Sequence, residues 1–533
     1  MAPPFNPLTI TTLDLQSRLQ SGSLTTVQIL ETYLAQIEKH NHAGQKLNAI
    51  ISIAPRDSLF AQAQQLDQER EQGKLRGPLH GLPTVVKDCF TFAPEIGLKT
   101  TVGSHVFAGE KAKGNARLIQ QLLQQGSRAE DFTPGYSAYG GQTRSAYDTA
   151  PPGNPLPNFH GATAGGSSAG SGVSVSAGFA PFSIGTETGG SLVYPASKAG
   201  LYAMRPTHGS VSAKGCFRIS RSFDGIGGMA KTAADLAMLI EVILTPEASK
   251  RVPGGGFVSV MKGKAGLEGL RIGFVDSKWG TNEETRDEKW GTNPVVSRLL
   301  CRRSCDVDDI KKMQYEGAVK ILRENGAHVL YPLRPPAPQT LVYNDIKMKK
   351  VAYHEFKTVI QEFCNEFEDP GVRTVEDIIK FNSEHKEIAL PRRNSPFINL
   401  TRPAPNITRL QLTRYIAHVT QSGLEGSRDS PLTDTESDQA AAQLKRLAGK
   451  DGMERYMQEN DIEMIVSGSD CNLISFNACA GYPSATVPLG NQEDGSPFGL
   501  FLLVKEDRED LLFRFMSAFE DTMERVKGPS LSF

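Results

Sequence analysis

Two stretches near the N-terminus repeat apolar residues at the three-to-four spacing of a helix with one buried face. They are Leu24–His40 (LTTVQILETYLAQIEKH) and Asp57–Lys74 (DSLFAQAQQLDQEREQGK). Ser23 and Thr26 are the expected caps of the first. The period then changes. Thr84-Val85-Val86, set between glycine–proline turns and Lys87, predicts a short buried strand. A helix is expected to end at Gly126. FSIG (182–185) and RIGFVDS (271–277) read as strands, and TAADLAMLIEVILT (232–245) and EDLLFRFMSAFEDTMERV (509–526) as helices. Residues 309–333 read as helix, glycine, strand. Short apolar strands alternating with helices predict an α/β fold. No stretch has the character of a linker. One domain is expected, with a helical part at 1–75, a core at 76–245 and a remainder at 246–533 that completes the same sheet.

Composition narrows the function classes. The chain has 533 residues, 58 basic against 59 acidic, and a net charge of −1. That balance gives no electrostatic reason to expect nucleic acid or an anionic membrane as a partner. Seven cysteines are too sparse for a disulfide framework, and the lone Cys301/Cys305 pair lacks the partners of a zinc site. A reducing, cytoplasmic setting is expected, with no metal and no organic cofactor. The N-terminal residues lack the basic and apolar regions of a signal peptide. KWGTN occurs at 278–282 and again at 289–293, which reads as a loop insertion.

The chemistry turns on residues 163–172, TAGGSSAGSG. Gly/Ser-rich stretches are usually flexible connections. Here, however, the chain does not change character across the stretch. A second glycine turn, ETGGSLVYP, follows shortly after a strand. GSSAG (166–170) also fits a G-x-S-x-G nucleophile elbow with Ser168 as nucleophile. That motif needs a strand before it, which NPLPNFHGATAG does not provide, and nothing selects a partner among His208, His328, His354, His385 and His418.

A third reading uses both turns together with Lys87. GLPTVVKDCF (81–90), GGSSAGSG (165–172) and GTETGGSLVYP (185–195) resemble, in order and spacing, the hallmark motifs of the amidase signature family, fungal members included. Ser167 and Ser191 stand 24 positions apart, as in that family. GLYAMRPTHGSVS (200–212), FDGIGGMAKTAADLAML (223–239) and ACAGYPSATVPLG (478–490) extend the likeness over nearly the whole chain. The resemblance implies a large mixed, twisted β-sheet covered by helices on both faces. It implies a catalytic set of Ser191 as nucleophile, Ser167 as a bridging serine on a cis peptide, and Lys87 as base. Ser168 would hold Lys87, and Gly165 and Gly166 would give the backbone room. The N–H groups of Thr188, Gly189, Gly190 and Ser191 would form the oxyanion hole. These residue types suit the task. A serine hydroxyl needs a base, and burial lowers a lysine's pKa so that it can be one. The implied partner is a small-molecule amide, with a homodimer admitted as the assembly.

The chain departs from the family pattern at three places. Glu187 replaces an aspartate, and Val193 replaces an arginine two after the nucleophile. After Gly126 a strand expected near 127–135 is absent from the sequence pattern, with 151–162 as a partial replacement. The alternatives are therefore a glutamine-dependent amidotransferase A-type subunit, or a catalytically impaired relative that has lost this strand. Residues 132–147, 214–222, 391–406 and 466–475 are the expected pocket loops.

Overall fold

The computed structural model describes residues 3–132, 135–148, 163–277, 279, 305–390 and 421–533. The expected loops at 151–162, 280–293 and 391–406 lie outside them.

The N-terminal helices are α1 (Thr12–Gln20), α2 (Thr26–His40) and α3 (Arg56–Glu71). Thr25, rather than Ser23 or Thr26, caps α2. Its hydroxyl accepts from Gln28 N–H, and Gln28 reaches back to the Thr25 N–H. Thr26 is already helical, because the residue that caps must keep an extended backbone. The helices that follow in the core are α4 (Arg117–Gln124), α5 (Ala169–Ser176), α6 (Val193–Lys198) and α7 (Ala233–Ile243). As expected, α4 stops just short of Gly126.

One eleven-stranded mixed sheet organises the chain. Its first strands in sequence are β1 (Ile50–Ser52), β2 (Pro83–Lys87) and β3 (Arg128–Phe132). A separate two-stranded ribbon pairs β4 (Tyr136–Ser137) with β5 (Gly141–Gln142). The main sheet continues with β6 (Phe182–Glu187), β7 (Tyr202–Arg205), β8 (Gly225–Ala230), β9 (Arg271–Val275) and β10 (His328–Leu333). It ends with β11 (Met464–Gly468), β12 (Ser484–Asn491) and β13 (Pro497–Val504). The spatial order is β1-β3-β2-β6-β8-β7-β12-β13-β11-β9-β10. β2 is parallel to β3 and β6, and β9 to β10 and β11, while the remaining pairs are antiparallel.

The strand expected to be missing is therefore present. β3 occupies Arg128–Phe132, parallel to β2 on one side and antiparallel to β1 on the other. Its sequence, RAEDF, carries no apolar alternation. Pairing on both sides makes it a strand, as tertiary context commonly does. A lost strand is thus no ground for an impaired enzyme.

Both sheet faces are covered. Alternate residues of a strand point to opposite faces. In β13, Leu500, Leu502 and Val504 join one buried apolar cluster, while Phe501 and Leu503 join another. The first cluster includes α1, α2, α7 and the helix Glu509–Thr522; the second includes the helices Asp434–Ala448 and Leu473–Ala480. Strands buried on both faces read as the continuous apolar runs seen here in PFGLFLLV. Among the described residues no helix is long and apolar enough to cross a membrane.

Candidate active site

Lys87 ends β2 and Glu187 ends β6. These strands lie side by side and parallel, with Val86 beside Ile184, so both chains leave the sheet at the same edge. The crevice beyond the carboxyl ends of parallel strands is the usual ligand position in open α/β sheets.

Lys87 is 6% exposed. Its Nζ donates to Ser167 Oγ at 2.6 Å and to Thr186 Oγ1 at 2.8 Å. Burial pulls the ammonium pKa below its ordinary value, and the nearby Cys89, Cys216, Asp224 and Glu187 act in the opposite sense. Ser167 follows a cis peptide bond from Gly166. Of the two glycines expected to give room here, the steric need falls on Gly165. Gly165 has φ +72°, and a Cβ there would lie 2.8 Å from Pro195 Cα, whereas a Cβ on Gly166 would meet nothing within 4 Å.

Ser168 precedes α5 and does not bind Lys87. Its Oγ donates to Thr186 O at 3.0 Å and accepts from Thr186 N–H at 3.2 Å. The hydroxyl is turned onto the backbone of β6, which approaches closely because Gly185 has no side chain. A Cβ there would sit 2.8 Å from Ser168 Oγ. Thr186 takes the lysine-holding place expected of Ser168. With its hydroxyl committed to backbone in both directions, Ser168 does not fit the elbow nucleophile. The Ser168 N–H donates to Ser191 O at 3.0 Å, which ties the two glycine-rich segments together.

The turn Thr188–Ser191 links β6 to α6. Gly190 has φ +88°, and a Cβ on it would lie 3.2 Å from Ile474. Among the described residues, the N–H groups of Thr188, Gly189, Gly190 and Ser191 donate to no protein acceptor, and the half-buried Ser191 hydroxyl has no hydrogen-bond partner. Unpaired donors beside a free hydroxyl are the kind of groups that stabilise a developing oxyanion.

Glu187 frames this turn. Its Oε2 accepts from the N–H groups of Leu192 and Val193, both at 3.0 Å. Its Oε1 lies 3.9 Å from Nη1 of Arg205, and both side chains are fully buried. The replaced aspartate and the missing arginine at Val193 thus resolve into one arrangement. The longer acid spans the turn, and β7 provides its cation. Asp224 stands nearby, half-buried. Its carboxyl accepts from Ile219 N–H at 2.7 Å, and burial pushes its pKa up to about 6 against the pull of Thr188, Ile219 and Ser220.

Thr186, Arg205 and Asp224 were not singled out from sequence, since each acts through a neighbour distant along the chain. A cavity of about 340 Å³ reaches Thr186, Asp224, Cys216, Arg218 and Arg221, but its lining does not include Lys87, Ser167 or Ser191. It adjoins the candidate site rather than containing it. Among the expected pocket loops, 214–222 contributes to this cavity through Cys216–Arg218 and Arg221, and Ile474 of 466–475 overhangs Gly190.

Comparison with known proteins agrees with this fold. The family model described as Amidase matches residues 28–289. An Arabidopsis thaliana protein described as a probable amidase is 27% identical, over 97% of this chain and 90% of its own. The A subunit of the glutamyl-tRNA(Gln) amidotransferase of Chloroflexus aurantiacus is 35% identical, but over 49% of this chain and 52% of its own. The solved peptide amidase of Stenotrophomonas maltophilia superposes with a TM-score of 0.77 at 26% identity, covering 98% of this chain and 99% of that one. The chain belongs to the amidase family and is an amide-hydrolysing enzyme.

Proposed function

We propose that the enzyme cleaves a carboxylic amide through an acyl-enzyme on Ser191, with Ser167 as proton relay and Lys87 as base. The observation that carries this reading is the 2.6 Å contact between a buried Lys87 Nζ and Ser167 Oγ, beside a turn with four free N–H groups.

In the attacking state Lys87 is neutral, a form that burial favours. Ser191 Oγ adds to the substrate carbonyl carbon. Its proton passes to Ser167 Oγ, and the Ser167 proton passes to Lys87 Nζ. The new oxyanion is held by the N–H groups of the Thr188–Ser191 turn. Each such donor is worth about 3 kcal/mol to the transition state. Collapse re-forms the carbonyl and breaks the C–N bond. The proton returns from Lys87 through Ser167 to the leaving nitrogen. Water then attacks the ester carbonyl by the same relay, releasing the acid and restoring Ser191. The scheme uses only side chains and backbone of this chain.

Hydrolysis is preferred to a role as one component of an amidotransferase because the likeness to amidases runs along nearly the whole chain, whereas the amidotransferase likeness covers half of it. The test is ammonia or amine release from a panel of amides, peptide amides included. The wild-type protein is expected to turn over at least one of them. Ser191→Ala is expected to abolish that turnover while unfolding as the wild type does. Full activity in Ser191→Ala would overturn the assignment.

A further inference from the structure

The mechanism leaves two thiols unused beside its base. Cys89 stands two residues past Lys87, and Cys216 sits on the segment crossing over it. Their Sγ atoms are 4.0 Å apart, although 127 positions separate them in the chain. Three backbone bonds fix the two segments around the pair: Cys89 N–H to Lys87 O at 2.7 Å, Phe217 N–H to Cys89 O at 2.7 Å, and Thr91 N–H to Gly215 O at 2.8 Å. The side chains are 4% and 5% exposed, yet Cys216 lines the 340 Å³ cavity that also reaches Thr186, the second partner of Lys87. A small neutral oxidant that enters this cavity meets Cys216 first and finds Cys89 behind it.

We propose that Cys89 and Cys216 form an oxidisable dithiol, which hydrogen peroxide closes into a disulfide and which thereby lowers the activity of the site. The Cys216 sulfur, as thiolate, attacks one peroxide oxygen and the O–O bond breaks. The departing hydroxide takes up the thiol proton as water, leaving a sulfenic acid on Cys216. The Cys89 sulfur then attacks the Cys216 sulfur and the S–O bond breaks. The second hydroxide leaves as water with the Cys89 proton. Two thiols and one peroxide become one disulfide and two waters. The sulfurs together lose two electrons, and the peroxide gains them.

Bonding requires the sulfurs to approach to about 2 Å with the Cβ atoms about 4 Å apart. Closing the 4.0 Å gap draws on both side chains and on the two clamped segments. One of them carries Lys87 at the end of β2, so closure bears on the Lys87–Ser167 contact. The cross-link itself is independent of the Ser191 reading; its effect on activity rests on that reading.

The test treats the full chain with hydrogen peroxide, blocks remaining thiols, and maps tryptic peptides without reduction. The expected product joins residues 88–99, holding Cys89, to residues 215–218, holding Cys216, two hydrogens lighter than the separate pair. The rate of fluorophosphonate labelling at Ser191 is expected to fall as the cross-link accumulates and to return with dithiothreitol. In Cys216→Ser the reversible loss disappears, while Cys364→Ser, at a buried thiol outside the pair, still cross-links. Recovery of both peptides separately alkylated after peroxide overturns the proposal. A complete cross-link with an unchanged labelling rate overturns its regulatory part. Fully reduced protein that takes no fluorophosphonate refutes the Ser191 reading and leaves the cross-link to be judged by mass alone.

Discussion

In the proposed mechanism Lys87 is the base, and its environment sets its charge. Burial lowers its pKa from 10.5, so the neutral base becomes available at lower pH than for a solvated lysine. The sign follows directly. The active form lacks a proton, so kcat/KM should fall as pH drops through the Lys87 pKa and level off above it. A pH–rate profile that instead rises toward acid would contradict the role. Lys87→Ala should lose about 10²–10⁴-fold in activity, the usual contribution of a positioned base. Lys87→Arg should not recover it, because a guanidinium keeps its proton. Steady-state kinetics on any cleaved amide reads both. Lys87, Ser167 and Ser191 can be proposed from the sequence because three ordered motifs carry them, and the structure brings Lys87 and Ser167 into contact. Thr186 cannot be. Its hydroxyl reaches Lys87 across 99 positions, a contact that only strand pairing creates.

At the scale of elements, the turn after β6 is held by Glu187, which binds the first N–H groups of α6 and faces buried Arg205. Glu187→Ala would strand a buried guanidinium and should destabilise the fold by about 3–5 kcal/mol, measured by denaturant unfolding. Gly190→Ala acts differently. It forces a side chain into a positive-φ position at about 1–2 kcal/mol, against Ile474, and should lower kcat far more than it lowers stability. Labelling and unfolding measured on one preparation separate the two effects. Elements were legible where the period was clean, as in TVV of β2 or the helix from Ala233 to Ile243. They were illegible in β3, where a polar segment becomes a strand because β1 and β2 flank it. The cap of α2 was misplaced by one or two residues because Ser23, Thr25 and Thr26 are all capping types, and only backbone geometry chooses Thr25.

For the molecule as a whole, the sheet collects strands from residue 50 to residue 504 and places the ends of β2 and β6 at one edge. Its buried charges link stability to pH. Asp224 has its pKa raised from 3.8 to about 6 by burial, so the folded state binds more protons than the unfolded state within that window. Its contribution to stability is therefore greatest in acid and declines as pH rises from about 4 to about 6. Asp224→Asn should remove that slope, seen as a flatter profile of unfolding free energy against pH. An unchanged slope would mean that the Asp224 carboxyl is not desolvated as described.

The central claim is that Ser191, activated through Ser167 and Lys87, is the nucleophile. Fluorophosphonate labelling of the purified protein, with the adduct located by peptide mass spectrometry, tests it most directly. The account predicts one adduct, on Ser191, lost in Ser191→Ala and strongly slowed in Lys87→Ala. An adduct on Ser168, or labelling at Ser191 that is indifferent to Lys87, would contradict it.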